Sequence, residues 1–134
     1  MTVFLDTNIL FSAMIWPDSK TAQAFHKATS YPNVGMVCLY SVEELRKTIG
    51  KKAPQYLCYI EEFLCSAVFS LIFVPVPIEK HEEELKIRDE KDRPLLRAAI
   101  RFGADLFLTG DKDFLESEVK NPKIISVSDF LNFM

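Results

Sequence analysis

Histidine is nearly absent from this sequence: of 134 residues only two are His, His26 and His81, and neither has a partner at metal-ligand spacing. Cysteine is scarce too. The three present, Cys38, Cys58 and Cys65, are odd in number and form no C-x-x-C pair, which argues against a disulfide framework and a thiolate zinc site. Positive charge does not dominate, since 16 Lys and Arg stand against 19 Asp and Glu for a net charge of −3. Any nucleic-acid surface must therefore be local. No apolar run is long enough to cross a bilayer, and the longest, near residues 67–76, is interrupted by Ser70 and Pro75. No basic region precedes the first apolar residues, so no secretory leader is expected. The expected setting is reduced and cytoplasmic. What remains is a globular balance, 49% apolar and 26% charged, with length enough for one core and one domain over residues 1–134.

Strand and helix patterns alternate along that length. Short apolar runs predict strands at residues 2–5, 34–39, 71–74, 105–109 and 124–127. Helices are expected at 9–15, 20–29, 54–69, 79–88 and 94–102, with Gly103 just past the last of these and a short helix at the C-terminal end. A further helix is expected to start at Ser41, carry Val42, Leu45 and Ile49 on one face and stop at Gly50. Strands separated by helices give an α/β class, with a central, mostly parallel sheet covered on both faces.

Polar residues then interrupt this pattern where a parallel sheet collects function. In the stretch VFLDTN, residues 3–8, an apolar strand runs straight into Asp6. In DLFLTGD, residues 105–111, a second strand leads to Asp111. Both acids fall at carboxyl ends of strands, where the crevice of an open α/β sheet forms. DEKDRP places Asp92 at the start of a helix and SVEEL places Glu44 in the first turn of another. Carboxylates that converge repel one another unless a cation neutralises them. With no His or Cys cluster beside them the donors are all oxygen, which favours Mg²⁺ or Mn²⁺ over zinc.

A simpler job exists for each acid. Asp6, Asp92 and Asp111 are each fit to cap a helix, and Ser41-x-x-Glu44 has the form of a capping box. Four capping acids at the ends of one sheet are a less economical account than one shared cation. Glu43 is set aside because it stands four residues before Lys47 as an ordinary surface pair. Asp89 reads as a solvated residue before its helix, and EKHEEELK, residues 79–86, as a solvated helix face.

FLDTNIL, SVEEL and DEKDRPLLRAAIRFGADLFLTGDKDF, in that order over nearly the whole chain, together resemble the PIN domain. The likeness is greatest to the small VapC-like ribonuclease toxins of toxin–antitoxin pairs. This resemblance implies a three-layer α/β/α fold and an endoribonuclease that uses Mg²⁺ or Mn²⁺ to activate water against RNA phosphodiesters. It matches Asp6, Glu44, Asp92 and Asp111 to the catalytic, metal-binding acids, Asp113 to a further acid, and Asn8 and Thr109 to polar residues that hold the acids in place. Two other classes compete. A haloacid-dehalogenase-type phosphatase needs a second acid two residues after the first, where this chain has Asn8. A PIN-like module without catalysis, binding RNA or protein, is the other, and the presence of all four acids counts against it.

RNA at an acidic site needs flanking cations. Arg46, Lys47, Lys51 and Lys52 follow Glu44, Lys112 lies between two acids, and Arg93, Arg97 and Arg101 lie along the Asp92 helix. The helix expected at 54–69 carries Tyr56, Leu57, Tyr59, Ile60, Phe63, Leu64, Ala67 and Val68 over about half its circumference, more than the roughly 100° stripe that one sheet face requires. The PIN proteins resembled are commonly dimers, so a homodimer with Tyr56, Tyr59 and Phe63 at its contact is expected. A cognate antitoxin segment is the alternative occupant of that surface.

Overall fold

Near-continuous apolar strands are strands buried on both faces, the mark of a parallel sheet between helical layers. The computed structural model describes residues 1–67 and 70–133 and places them in this arrangement. The elements run β1 (Thr2–Leu5), α1 (Thr7–Ile15), α2 (Lys20–Ala28), β2 (Val34–Cys38), α3 (Leu39–Lys52), α4 (Leu57–Ala67), β3 (Leu71–Val74), α5 (Arg93–Arg101), β4 (Leu106–Leu108), α6 (Lys112–Leu115), β5 (Lys123–Ile125) and α7 (Val127–Leu131). All strands are parallel, in the order β3-β2-β1-β4-β5.

Strand side chains alternate between the two faces. Val3 and Leu5 of β1 point to one layer with Val37, Leu106 and Leu108, against α1, α2, α3, α4 and α7. Phe4 points to the other with Met36, Cys38 and Phe107, against α5 and α6. The three-layer α/β/α expectation holds. On the second face Phe107 stacks between Phe4 and Phe114, with ring centroids 5.0 and 4.5 Å away. Gly35 on β2 is required by a close approach, since a Cβ there would meet Leu71 Cδ2 at 2.8 Å and Thr29 Cγ2 at 2.9 Å. Gly103 follows α5 with φ +74, the left-handed turn expected of it.

Several expectations need correction. Helix α3 starts at Leu39 and ends at Lys52, so Ser41 lies inside it and Gly50 does not stop it. Ser41 is fully buried there and its hydroxyl has no partner among the described residues; with the helix starting at Leu39, Glu44 sits in the second turn rather than the first. The helix expected from Pro54 is a 3-10 turn over Pro54–Tyr56 followed by α4, and Val68 and Phe69 lie outside the described residues. The polar helix expected at 79–88 is a single 3-10 turn, Glu82–Lys86. Its face is not solvated throughout: Glu84 is 3% exposed and takes both Nε and Nη2 of Arg97 at 2.8 Å, while Arg97 Nη1 donates to the Pro77 carbonyl. The capping box lies here, between His81 and Glu84, and not at Ser41.

Strand order locates the site. The chain moves from β1 to β2 to β3 on one side, then crosses back to place β4 on the other side of β1. That reversal lies between β1 and β4, and the crevice at a reversal opens at the strands' carboxyl ends. Asp6 follows β1 there and Thr109 follows β4.

Candidate metal centre

Asp6 is 4% exposed and Thr109 0%. The Thr109 hydroxyl donates to Asp6 Oδ2 at 2.6 Å and accepts the backbone N–H of Asp111 at 3.0 Å. One threonine thereby ties the acids of two adjacent strands. Asp111 Oδ1 in turn accepts the N–H of Asp113 at 2.9 Å, capping α6 with one oxygen and leaving the other to the crevice. The capping account fails for Asp6 and Asp92, neither of which makes a side-chain capping bond.

A cleft of about 530 Å³ lies over these residues, lined by Thr7, Asn8, Glu44, Lys52, Asp89, Asp92 and Asp111 among others. Asp6, next to Thr7 in the chain, is buried and not part of the lining. Burial raises the Asp6 carboxyl above its ordinary value, against the Thr109 hydroxyl, and the charges of Asp111 and Glu44 add to the rise. Burial likewise pushes Asp92 up to about 7, with Asp111, Asp6, Asp89 and Glu44 all contributing repulsion. All four acids singled out in the sequence are close enough to feel one another.

The structure adds a residue to the cluster. Asp89, set aside as a solvated residue, has a carboxylate oxygen within 4.8 Å of those of Asp92 and Asp113. Sequence spacing held one clue, since Asp89 and Asp92 are three apart and a helical turn puts such residues on one side. Asn8 lines the cleft without a hydrogen bond to any acid among the described residues.

The cations divide. Lys52 lines the cleft, while Lys47, Lys51 and Lys112 are exposed. Arg46 is drawn away, with Nε 2.7 Å from Glu61 Oε1, Nη2 3.1 Å from Glu61 Oε2 and Nη1 3.2 Å from Glu43. Glu43 pairs with Arg46 rather than with Lys47 as expected. Arg97 is committed to Glu84, and Arg93 Nε to the Ile87 carbonyl.

The donor set fits a hard divalent cation. It is all carboxylate and hydroxyl oxygen, burial together with the neighbouring charges raises Asp92 to about 7, and Thr7 lines it with a buried hydroxyl that has no partner among the described residues. The carboxylate oxygens that stand within 4.8 Å of one another are those of Asp89, Asp92 and Asp113; Glu44 and Asp111 line the same cleft as Asp89 and Asp92.

A family model for the PIN domain matches residues 2–113. The chain belongs to the PIN domain family. Among solved structures, this PIN domain is similar to a chain of VapBC2 from Rickettsia felis, in a complex bound to a DNA fragment from their promoter. The identity is 17% and the TM-score 0.71, over 94% of this chain and 98% of that one. That likeness speaks to the fold. Among curated proteins, none matches the chain in sequence.

The raised Asp92 value sets a pH dependence for the cation-free PIN domain. The unfolded chain releases this proton at an ordinary carboxylate value and the folded one near 7. Between those values the folded state binds more protons, so stability is greatest on the acid side and falls as pH rises towards 7. In chelator, the melting temperature is expected to drop by a few degrees between pH 5 and 7.5. Asp92→Asn should remove most of the drop. Calorimetric scans that show equal drops in parent and variant would contradict the assignment.

Proposed function

We propose that this protein is a Mg²⁺- or Mn²⁺-dependent endoribonuclease and the toxin component of a toxin–antitoxin pair. The observation that carries the reading is the meeting of Glu44, Asp92 and Asp111 on a cleft at the reversal point of the sheet, with the buried Asp6 close enough to repel them. Membership of the PIN domain family supports nuclease chemistry, and the fold shared with a chain of a VapBC complex supports an antitoxin partner. We take residues 1–134 as a single PIN-like domain acting in the cytoplasm; no helix among the described residues is long and apolar enough to cross a membrane.

When bound, the ion supplies an activated water and positive charge for the phosphate oxygens. The chain's own groups do the rest. Thr109 holds Asp6 and the Asp111 backbone in register, so the carboxylates meet the ion without rearranging. Asp92, raised to about 7 mainly by burial, would have to be deprotonated to serve as a ligand, so binding of the ion would be favoured as pH rises. Lys52 stands at the cleft to meet phosphate, with Lys51, Lys47 and Lys112 as an outer field and Asp113 as the additional acid. No Ser or Cys nucleophile with a His is required. The test is cleavage of RNA in Mg²⁺ or Mn²⁺ and its loss in EDTA.

Assembly is part of the same reading. Ile60 and Leu64 of α4 are buried, whereas Tyr56, Leu57 and Tyr59 are 44%, 36% and 46% exposed. Phe63 turns inward onto Phe25, with ring centroids 5.3 Å apart, so the contact we propose for a homodimer centres on the two tyrosines and Leu57. Light scattering of the isolated protein at micromolar concentration should give twice the chain mass, reduced to one chain by Tyr56→Glu with Tyr59→Glu. A parent of single-chain mass would contradict the dimer.

A further inference from the structure

The crowded acids receive a cation from the chain itself. Arg88 has an 86% exposed side chain, yet its Nη2 lies 2.5 Å from Asp113 Oδ1. Asp113 shares its surroundings with Asp89 and Asp92, whose oxygens lie within 4.8 Å. The backbone on either side is pinned: Ile87 is fully buried, its carbonyl accepts Arg93 Nε at 2.9 Å, and Asp89 Oδ1 accepts the Lys91 N–H. The side chain itself is held only by this one exposed pair among the described residues. Arg46 and Arg97 each have three nitrogens engaged by glutamates or a carbonyl, and Arg93 is mostly covered with its Nε on a carbonyl, whereas the exposed Arg88 uses a single nitrogen among the described residues. An exposed pair of this kind is weak, so it is given up readily.

We propose that Arg88 anchors a substrate phosphate at this cleft, held on Asp113 while the acids lack a cation and released when a cation takes over that charge. The proposal rests on the nuclease reading of the cleft. Its chemistry is that of guanidinium, whose planar fork meets a phosphate through two parallel N–H donors. Asp113, the acid paired with Arg88, has a carboxylate oxygen within 4.8 Å of those of Asp89 and Asp92, which line the cleft, so the fork lies beside the carboxylates that would sit on the same phosphate's ion. Arg88 is a positioning residue and not one of the ion's ligands.

Two measurements test it on the full chain. Calorimetric titration with Mn²⁺ alone, without RNA, should show Arg88→Ala binding the ion about threefold tighter, the worth of an exposed ion pair. In an Asp113→Asn background the same change should have no effect, because the latch is already open. Binding of a slowly cleaved phosphorothioate oligoribonucleotide, read by anisotropy, should weaken in Arg88→Ala when Mn²⁺ is present, with the log–log salt slope reduced by about 0.7, one phosphate contact. In EDTA parent and variant should bind alike. Equal RNA binding in Mn²⁺, an equal loss in EDTA, or a Mn²⁺ effect that survives Asp113→Asn each overturns the proposal. A parent that cuts RNA while Arg88→Ala changes nothing overturns the anchor and leaves the nuclease. A parent that neither binds nor cuts RNA overturns both.

Discussion

Replacing Asp6 with asparagine should lower RNA cleavage by about a thousandfold, the scale seen when a principal electrostatic group is taken from a preorganised site, and leave the fold intact. Asparagine is close to isosteric with aspartate, and its carbonyl still accepts the Thr109 hydroxyl that holds Asp6 at 2.6 Å. What it removes is a charge whose burial is already unfavourable, as the raised Asp6 value records. The cation-free variant should therefore melt no lower than the parent, and slightly higher if repulsion from Asp111 and Glu44 dominates. Asp111→Asn should behave likewise, since its capping oxygen survives as an amide carbonyl. The pairing of lost cleavage with kept stability distinguishes a functional acid from a structural one. A variant that cuts at the parental rate would remove Asp6 from the chemistry, and one that unfolds would return it to a structural role.

Glu84→Ala should have the opposite profile, with a large loss of stability from a residue outside the ligand set. Its carboxylate is 3% exposed and Arg97 13%, joined through two hydrogen bonds of 2.8 Å. Removing one partner of a buried pair strands the other charge, a cost of about 3 kcal/mol. At this chain length that corresponds to a fall of about 10 °C in melting temperature. The double change Glu84→Leu with Arg97→Met should recover most of it, because the pair itself contributes little beyond what apolar groups of similar size would. Arg97 holds the Glu84 carboxyl below its usual value, so the pair contributes above the ordinary glutamate range and its contribution is lost as acid takes pH down through the lowered value. Function should suffer too. The pair, with Arg97 Nη1 on the Pro77 carbonyl, clamps the segment that delivers Arg88 and Asp89 to the cleft. A thermal scan of Glu84→Ala that overlays the parent would show the clamp to be idle.

Much of this arrangement is legible along the chain, for a local reason. An apolar run that turns polar at its last residue marks both a strand and the end at which it stops, and Asp6 and Asp111 fall at such points. Helix-face periodicity likewise puts Leu95, Leu96, Ala98 and Ala99 in the core. Boundaries were less legible where two local signals competed. At Ser41 the capping-box pattern and the helical face of Val42, Leu45 and Ile49 point to different starts, and packing decided for the face, with Ser41 buried inside the helix. At residues 79–88 the run of charge reads as solvated, yet Glu84 is among the most buried polar residues described. Its partner stands 13 positions away, beyond the reach of any pattern.

The sequence by itself determined the class of fold, the kind of donor and the strand ends at which donors gather, because burial period and residue chemistry are properties of neighbours in the chain. Only the tertiary structure decided which charges act together. Asp6 and Thr109, 103 positions apart, meet because β1 and β4 are adjacent. Arg46, next to the site in sequence, is withdrawn from it by Glu61, 15 positions on; Asp89 and Arg88 are brought in. Charge interaction falls with distance through space and is strengthened by exclusion of water, and neither quantity exists until the chain has closed upon itself.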